Sequence, residues 1–414
     1  MARKEKRFMP ETIFVGIDVA KFKHTCCALS QEGEVKIKPF DFQNDGEGYS
    51  SLLKKLGEIG PKQTVLIGME ATGHYHENLV RRLKAEGYSV RVFNPKLVAA
   101  YIKSERVDYP KTDSGDSLMI AEYLSKHPDK GSAGKSYTAE ALASLSRELN
   151  SLIAERSRAY NRIQRHLDIT FPELIGFLRK NADGSERNST RGRNVLESPA
   201  VRLLLKKFPS AAKVAKMRDK DYEALRKASY GAFSTMRFAR MKELAKASVG
   251  SPVESDEIMV GMLCEQADLL DSQIEAIQAR VGEIFEEEPH EFVKIKGVGA
   301  NYGAAILGAV GDFKDFPTAD AVVQFAGLRS RVYESGEESK KGKMTKKGPP
   351  VMRYAAIQAA QKVILHYPKW AEYYRKKLDE GKFYKVALSH VAARLLKAIW
   401  KIEHDGLTFD PLKF

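Results

Sequence analysis

The chain has 414 residues, 43% of them hydrophobic and 29% charged, with a formal net charge of +14 and a sequence pI near 9.4. A chain of this length exceeds one ordinary hydrophobic core and predicts two or three domains of a soluble globular protein. The positive excess favours polyanionic partners over anionic membranes, since no strongly amphipathic anchor with a Lys/Arg face stands out. No apolar run reaches the roughly 18 residues needed to span a bilayer. Residues 1–8 are basic and lead into Pro10 without the apolar core of a secretion signal. The cysteines, Cys26, Cys27 and Cys264, have neither zinc spacing nor a disulfide pattern, and read as buried reduced thiols of a cytoplasmic protein.

Residues 13–17 form an apolar run that ends at Asp18, and 25–29 read as a second strand. Residues 34–40 alternate Val35 and Ile37 with Lys36 and Lys38, as a half-exposed strand does. Helical spacing follows at Tyr49, Leu52, Leu53, Leu56 and Ile59, then an apolar strand over 64–69 that ends at Glu70. A helix over 77–86, a strand over 89–93 and a helix opened by Pro95 come next, and Thr112 is suited to cap a helix running through Leu124. Three strands followed by alternating helices and strands predict an α/β domain with a mixed sheet over 1–130. After a small, polar stretch at 131–136, Leu142, Leu145, Leu149 and Leu152 repeat at coiled-coil steps, continuing through Ala159 and Ile163 and interrupted by Arg156. A second long helix over 256–287 carries Leu269, Leu270, Ile274, Ile277, Val281 and Ile284. The two are expected to pair antiparallel as a stalk or oligomerisation arm, giving a helical coiled-coil region over 131–290. Between them the basic stretch 179–193, with Arg187, Arg191 and Arg193, reads equally as a solvated loop and as a nucleic-acid contact. Residues 291–414 are predicted to be mostly helical, with one basic loop.

Asp18 and Glu70 each follow an apolar strand directly, and functional groups of open α/β sheets gather at such carboxyl ends. Asp113 and Asp116 are spaced i, i+3 and share one helix face. Each acid alone is an ordinary strand end or helix cap. Jointly, in a basic protein, they form a set able to coordinate two Mg2+ ions, which roughly 4 Å apart clamp the attacking and leaving oxygens of a phosphodiester. His74 and His76, just after Glu70, are candidate ligands or bases, with a structural or substrate-positioning role preferred.

The segments Gly16-Ile17-Asp18-Val19-Ala20-Lys21, Met69-Glu70-Ala71-Thr72-Gly73, Asn94-Pro95 and Lys111-Thr112-Asp113-Ser114-Gly115-Asp116 resemble the N-terminal domain of the DEDD transposases, insertion-sequence enzymes described as bridge-RNA-guided recombinases. The resemblance implies a RuvC-like domain of RNase H fold with its metal tetrad at Asp18, Glu70, Asp113 and Asp116. One departure is Ser117, where the family usually has Ala.

In the C-terminal segment, Ile295-Lys296-Gly297-Val298-Gly299 resembles a helix-hairpin-helix turn, whose glycines admit a phosphate near backbone N–H groups. Taken alone, the motif is read slightly better as a tight interhelical turn with a small-residue packing face. The run from Phe313 through Leu328, Arg329-Ser330-Arg331, Glu334-Ser335-Gly336 and the lysine-rich loop resembles the C-terminal transposase domain of the same family. That likeness implies Ser335 as nucleophile, with Ser339 and Ser330 as neighbouring rivals. Lys296, Gly297, Gly299, Lys340, Lys341, Lys343, Lys346, Lys347 and Arg353 are the expected nucleic-acid contacts. Tyr367, Trp370, Tyr373 and Tyr374 beside Lys369, Arg375, Lys376 and Lys377 suit base stacking or core packing equally. The resemblance further implies a composite site shared between subunits of a homo-oligomer, double-stranded donor and target DNA, a structured guide RNA, and a prokaryotic protein at the nucleoid when active. The alternative is a metal-dependent, junction-resolvase-like nuclease without a covalent intermediate.

Overall fold

The structure is a computed structural model that describes residues 12–71, 73–105, 112–131, 136–180, 194–231, 233–335 and 338–411. The chain divides into two compact units, Met1–Tyr137 and Thr138–Phe414.

The first unit is built on β1 (Ile13–Asp18), β2 (Lys23–Leu29), β3 (Val35–Gln43), β4 (Val65–Glu70) and β5 (Ser89–Phe93), in the order β3-β2-β1-β4-β5. β1 pairs antiparallel with β2 and parallel with β4, while β2–β3 is antiparallel and β4–β5 parallel. This is the mixed sheet of RNase H topology. The central strands are apolar on both faces because helices cover both. α1 (Gly46–Ile59) and α2 (Tyr75–Ala85) bury Leu52, Leu56, Leu79 and Leu83 against Val15, Ile17 and Ile67. On the opposite face, α3 (Pro95–Glu105) and α4 (Asp113–Lys126) bury Val98, Met119, Ile120 and Leu124 against Phe14, Leu66 and Phe93. Each such side chain contributes about 1.5–3 kcal/mol by leaving water. β3, at the sheet edge, is largely exposed, as its lysines predict.

The second unit is carried by two long helices, α5 (Tyr137–Thr170) and α11 (Glu254–Glu287). They pair antiparallel: Leu149 and Leu152 pack on Leu270 and Ile274, His166 Nδ1 stands 2.6 Å from Asp256, and Arg156 donates to Asp271 at 2.6 Å. Arg156, which breaks the apolar seam, is therefore accommodated by a carboxylate on the facing helix. The chain between the long helices is not merely a loop. α6 (Leu174–Arg179), α7 (Pro199–Lys207), α8 (Ala211–Ala215), α9 (Asp219–Ala228) and α10 (Thr235–Lys246) enclose a core with Ile163, Leu167, Leu263 and Ala267 of the long pair. The expectation of a plain coiled coil missed these helices, although α7 and α9 carry amphipathic spacing. The basic stretch 179–193 lies outside the described residues beyond Lys180.

A second core joins the other end of the pair, at Leu142, Val281 and Ile284, to the C-terminal helices. These are α12 (Gly299–Val310), α13 (Ala319–Phe325), α14 (Pro350–His366), α15 (Pro368–Asp379) and α16 (Tyr384–His404). Between α13 and α14 the strands β6 (Ser330–Ser335) and β7 (Glu338–Met344) pair antiparallel. Tyr367 and Trp370 are buried in this core, with the Arg394 guanidinium 5.3 Å from the Trp370 ring, so packing accounts for these two aromatics. Among the described residues no helix is long and apolar enough to cross a membrane.

Candidate active site

Asp18 and Glu70 are the last residues of β1 and β4. These strands are parallel and adjacent, with Ile17 opposite Met69, so the two acids emerge side by side at one end of the sheet. Strand alternation fixes their face. Ile17 and Met69 point into the α1/α2 core, so Asp18 and Glu70 point to the face that α4 covers. Thr112 caps α4 by accepting from Gly115 N at 3.2 Å, and Asp113 and Asp116 occupy the first helical turn. A helix N-terminus favours carboxylates there whether or not they take part in chemistry.

The register of α4 on the sheet is set by Gly16. A Cβ on Gly16 would fall 2.1 Å from Ser117 O and 2.5 Å from Ala121 N, so the helix backbone lies directly on the strand. Ser117 is fully buried there, its hydroxyl satisfied by donating to Ser114 O at 2.9 Å. We expect Gly16→Ala to push α4 off the sheet, costing about 1–3 kcal/mol as overpacked sites do. Chemical denaturation measures that loss, and an unchanged midpoint would contradict it.

Three residues that sequence reasoning passed over complete this face. Asp18 is paired with Thr25 across β1–β2, and Thr25 Oγ1 donates to Asp41 Oδ1 on β3 at 2.7 Å. Lys23 Nζ lies 2.7 Å from Asp41 and 3.7 Å from Asp113, tying the first turn of α4 to the sheet end. The hydrogen bond to Asp41 raises the Lys23 pKa, and the same bond lowers that of Asp41. The alternation Lys23, Thr25, Cys27 was the available signal, since these residues share the face of Asp18. On that face Cys27 is pushed up to about 11 by burial, which makes it an inert thiol at neutral pH.

The tetrad thus shares one end and one face of the sheet, and its donors are the carboxylate oxygens that Mg2+ takes. Among the described residues, no three His, Cys, Asp or Glu side chains stand close enough together to enclose an ion. Donor type and placement fit a divalent cation, but a closed cage is not formed. His74 precedes α2, its ring tilted against that of Tyr75 with centroids 4.5 Å apart.

The serine and the basic residues belong to the second unit. Ser335 ends β6 opposite Glu338, Ser339 lies opposite Glu334, and Ser330 lies opposite Met344. Lys340, Lys341 and Lys343 are on β7 rather than in a loop, because their segment pairs with β6. Lys346 and Lys347 are exposed in the short connection that follows. Arg353 is turned inward. Its Nη1 donates to Ala326 O at 3.1 Å, Lys346 O at 3.3 Å and Gly348 O at 3.4 Å, so it clamps that connection. Lys296 is exposed, and its N–H donates to Tyr367 Oη at 3.0 Å. Gly297 has φ +107°, and a Cβ there would fall 2.8 Å from Val363 N, so packing on α14 already requires this glycine. Gly299, at φ +58°, opens α12 into free space.

An RNase H-type sheet with acids at its central strand ends, joined to a basic helical unit, belongs to the class of nucleic-acid-processing enzymes. Comparison with known proteins defines the class further. Residues 15–172 match the DEDD transposase model of the IS110 group, and residues 290–375 match the IS116/IS110/IS902 transposase family. The chain belongs to this family of insertion-sequence transposases, which are DNA-cutting enzymes. It is 25% identical to the mini-circle transposase named for IS117 of Streptomyces coelicolor, over 93% of this chain and 92% of that one. It is 23% identical to a 43.6 kDa protein of insertion element IS110 from the same organism, over 96% of this chain and 95% of that one. A pilin gene-inverting protein of Moraxella bovis is 28% identical over 27% of this chain and 34% of its own.

Proposed function

We propose that this transposase cuts and rejoins DNA strands with Asp18, Glu70, Asp113 and Asp116 as ligands of Mg2+ and Ser335 as nucleophile. The observation that carries the reading is the position of Asp18 and Glu70 on adjacent parallel strands, on the face covered by the helix that bears Asp113 and Asp116. Bound Mg2+, in one or two ions, would supply positive charge to the phosphate and to the oxygens entering and leaving it. Lys23 holds Asp113 at the sheet end, and binding of an ion would draw the four carboxylates together.

In the covalent step the Ser335 hydroxyl loses its proton and its oxygen bonds to phosphorus. The bond to one deoxyribose oxygen breaks, and that oxygen takes up a proton. A strand hydroxyl attacking the phosphoserine reverses the bonding and restores the serine, so no cofactor is consumed. The lysines of β7 and its following connection supply positive charge for the strand. Serine attack needs such charge and a base to take the hydroxyl proton. A structured guide RNA, favoured electrostatically by the +14 charge, and a homo-oligomer, in which one subunit's acids serve another's serine, complete the proposal.

The test is to trap protein–DNA adducts on donor and target DNA with the element's flanking RNA. The adduct is expected with the natural chain and with Ser339→Ala, and is expected to vanish with Ser335→Ala. Strand cleavage without any adduct would favour the metal-only nuclease. An adduct that persists in Ser335→Ala but not in Ser339→Ala would move the nucleophile.

A further inference from the structure

The turn between β1 and β2 leaves the sheet at the end that carries the acids. Asp18 closes β1, Lys23 opens β2, and Val19-Ala20-Lys21-Phe22 join them there. Phe22 is 72% exposed. A phenylalanine left in water forgoes about 1.5–3 kcal/mol of burial energy, and a polar residue would serve a turn as well. A single exposed ring on a protein surface is ordinary. This one is set apart by its place, by the hydrogen bonds that hold its turn and by the cation beside it.

The place follows from the neighbours. Lys23, the next residue, has its Nζ 3.7 Å from Asp113, and Asp18 lies just before the turn on the strand that pairs with the strand of Glu70. The turn is held at three points. Asn44 N donates to Phe22 O at 2.9 Å, and Asn44 Nδ2 donates to Lys21 O at 3.1 Å. Ala20 N donates to His24 Nδ1 at 3.3 Å. His24 is buried, which lowers its pKa and keeps Nδ1 an acceptor, and the Asn44 side chain bonds to this ring as well. His24 and Asn44 therefore fix the backbone of the turn while the Phe22 side chain stands out in water. Lys21 is also exposed, and its Nζ lies 4.9 Å from the centre of the Phe22 ring. A flat ring on a fixed backbone, with an ammonium at its side, matches a nucleotide, whose base stacks and whose phosphate takes the cation. An apolar protein partner would have to desolvate that ammonium to reach the ring. We infer that Phe22 stacks on the base of an unpaired nucleotide beside the phosphate being cut, with Lys21 on the backbone of the same strand. The turn thereby positions the strand at the acids. The inference rests on the reading of the four acids as the cutting site.

The test is a cycle between the ring and the DNA, run with the full chain and the element's flanking RNA. Abasic sites are walked through the nucleotides around the cut in donor and target DNA. Single-turnover cleavage at sub-saturating protein is then compared for the natural chain and Phe22→Ala. At one nucleotide the abasic site should slow the natural chain about tenfold, the equivalent of ~1.4 kcal/mol, and should add nothing to a like loss in Phe22→Ala. Phe22→Trp should keep this coupling and Phe22→Leu should lose it. All three variants should melt with the natural chain, since the side chain lies outside the core. The inference is overturned if Phe22→Ala cuts as fast as the natural chain, if no abasic position couples to it, or if Phe22→Leu keeps the full rate. It is overturned too if Phe22→Ala changes the subunit number in sedimentation, which would make the ring a contact between copies of this chain. Asp18→Asn, measured alongside, separates the inference from the reading beneath it. Cutting that survives Asp18→Asn removes the acids and the inference together, whereas cutting lost with Asp18→Asn but indifferent to Phe22 overturns the inference alone.

Discussion

Asp18→Asn is expected to lower DNA strand cleavage by about 10²–10³-fold, the range seen when one preorganised charge-stabilising group is removed from an active site. The substitution keeps the shape of the side chain and removes its charge. Asp18 ends β1 at the rim of the sheet and is half-buried, so the strand pairing with Thr25 and β4 should survive. Melting temperature should therefore change little while single-turnover cleavage falls. Glu70→Gln should behave alike, and combining the two should cost much less than the product of their separate effects, because ligands of one ion act as a unit. Removing divalent ions should silence the natural chain, and Mg2+ should restore it without restoring the variant. Undiminished cleavage by Asp18→Asn would remove the tetrad from the chemistry and leave its acids as strand ends and caps.

The legible and illegible parts of this site differ for a physical reason. Asp18 and Glu70 were visible because the strands that carry them are buried on both faces, so a long apolar run stops abruptly at a charge. Thr112 was visible because capping is local: its hydroxyl reaches the amide three residues on. Lys23 and Asp41 were not visible as a pair. They lie 18 residues apart in sequence and meet only through the β2–β3 register, which a β-bulge shifts between Cys26 and Ala28. The lysine-rich segment that forms β7 was read as a loop because its lysines mask the strand pattern. Among the small helices, α6 and α8, of 6 and 5 residues, are too short for a pattern and owe their order to tertiary packing, whereas the amphipathic spacing of α7 and α9 was legible and passed over. Arg353 shows the same limit at one residue. Its position among lysines suggests a DNA contact, and nothing in the sequence marks its Nη1 as held by three backbone carbonyls.

Arg202→Ala should be the most destabilising single substitution in the second unit, by about 3–5 kcal/mol, the cost of breaking a buried ion pair from one side. The Arg202 side chain is only 3% exposed and lies between α5, α7 and α11. Its Nε and Nη2 donate to Asp268 and Asp271, each at 2.6 Å. Nη1 donates to Leu196 O at 2.6 Å and to Tyr160 Oη at 3.2 Å. Asp268 also accepts from Lys206 and Asp271 from Arg156, again at 2.6 Å. Without Arg202 each carboxylate keeps one cation, so the loss should fall toward the lower end of the range. Burial pulls the Asp268 carboxyl upward, but hydrogen bonds from Lys206 and Arg202 outweigh it and leave the pKa below the ordinary 3.8. A carboxyl depressed in the folded state contributes stability above its unfolded pKa and loses it as pH falls through the folded one. The natural chain should therefore lose this contribution on acidification from about pH 4 downward. Arg202→Ala, already lacking one of the two depressing hydrogen bonds, should show a shallower loss over the same window. Urea denaturation at neutral and acid pH reads both effects. A loss under about 1 kcal/mol at neutral pH would mean that the apolar packing of α7 on α11, and not this arginine, holds the small helices to the long pair.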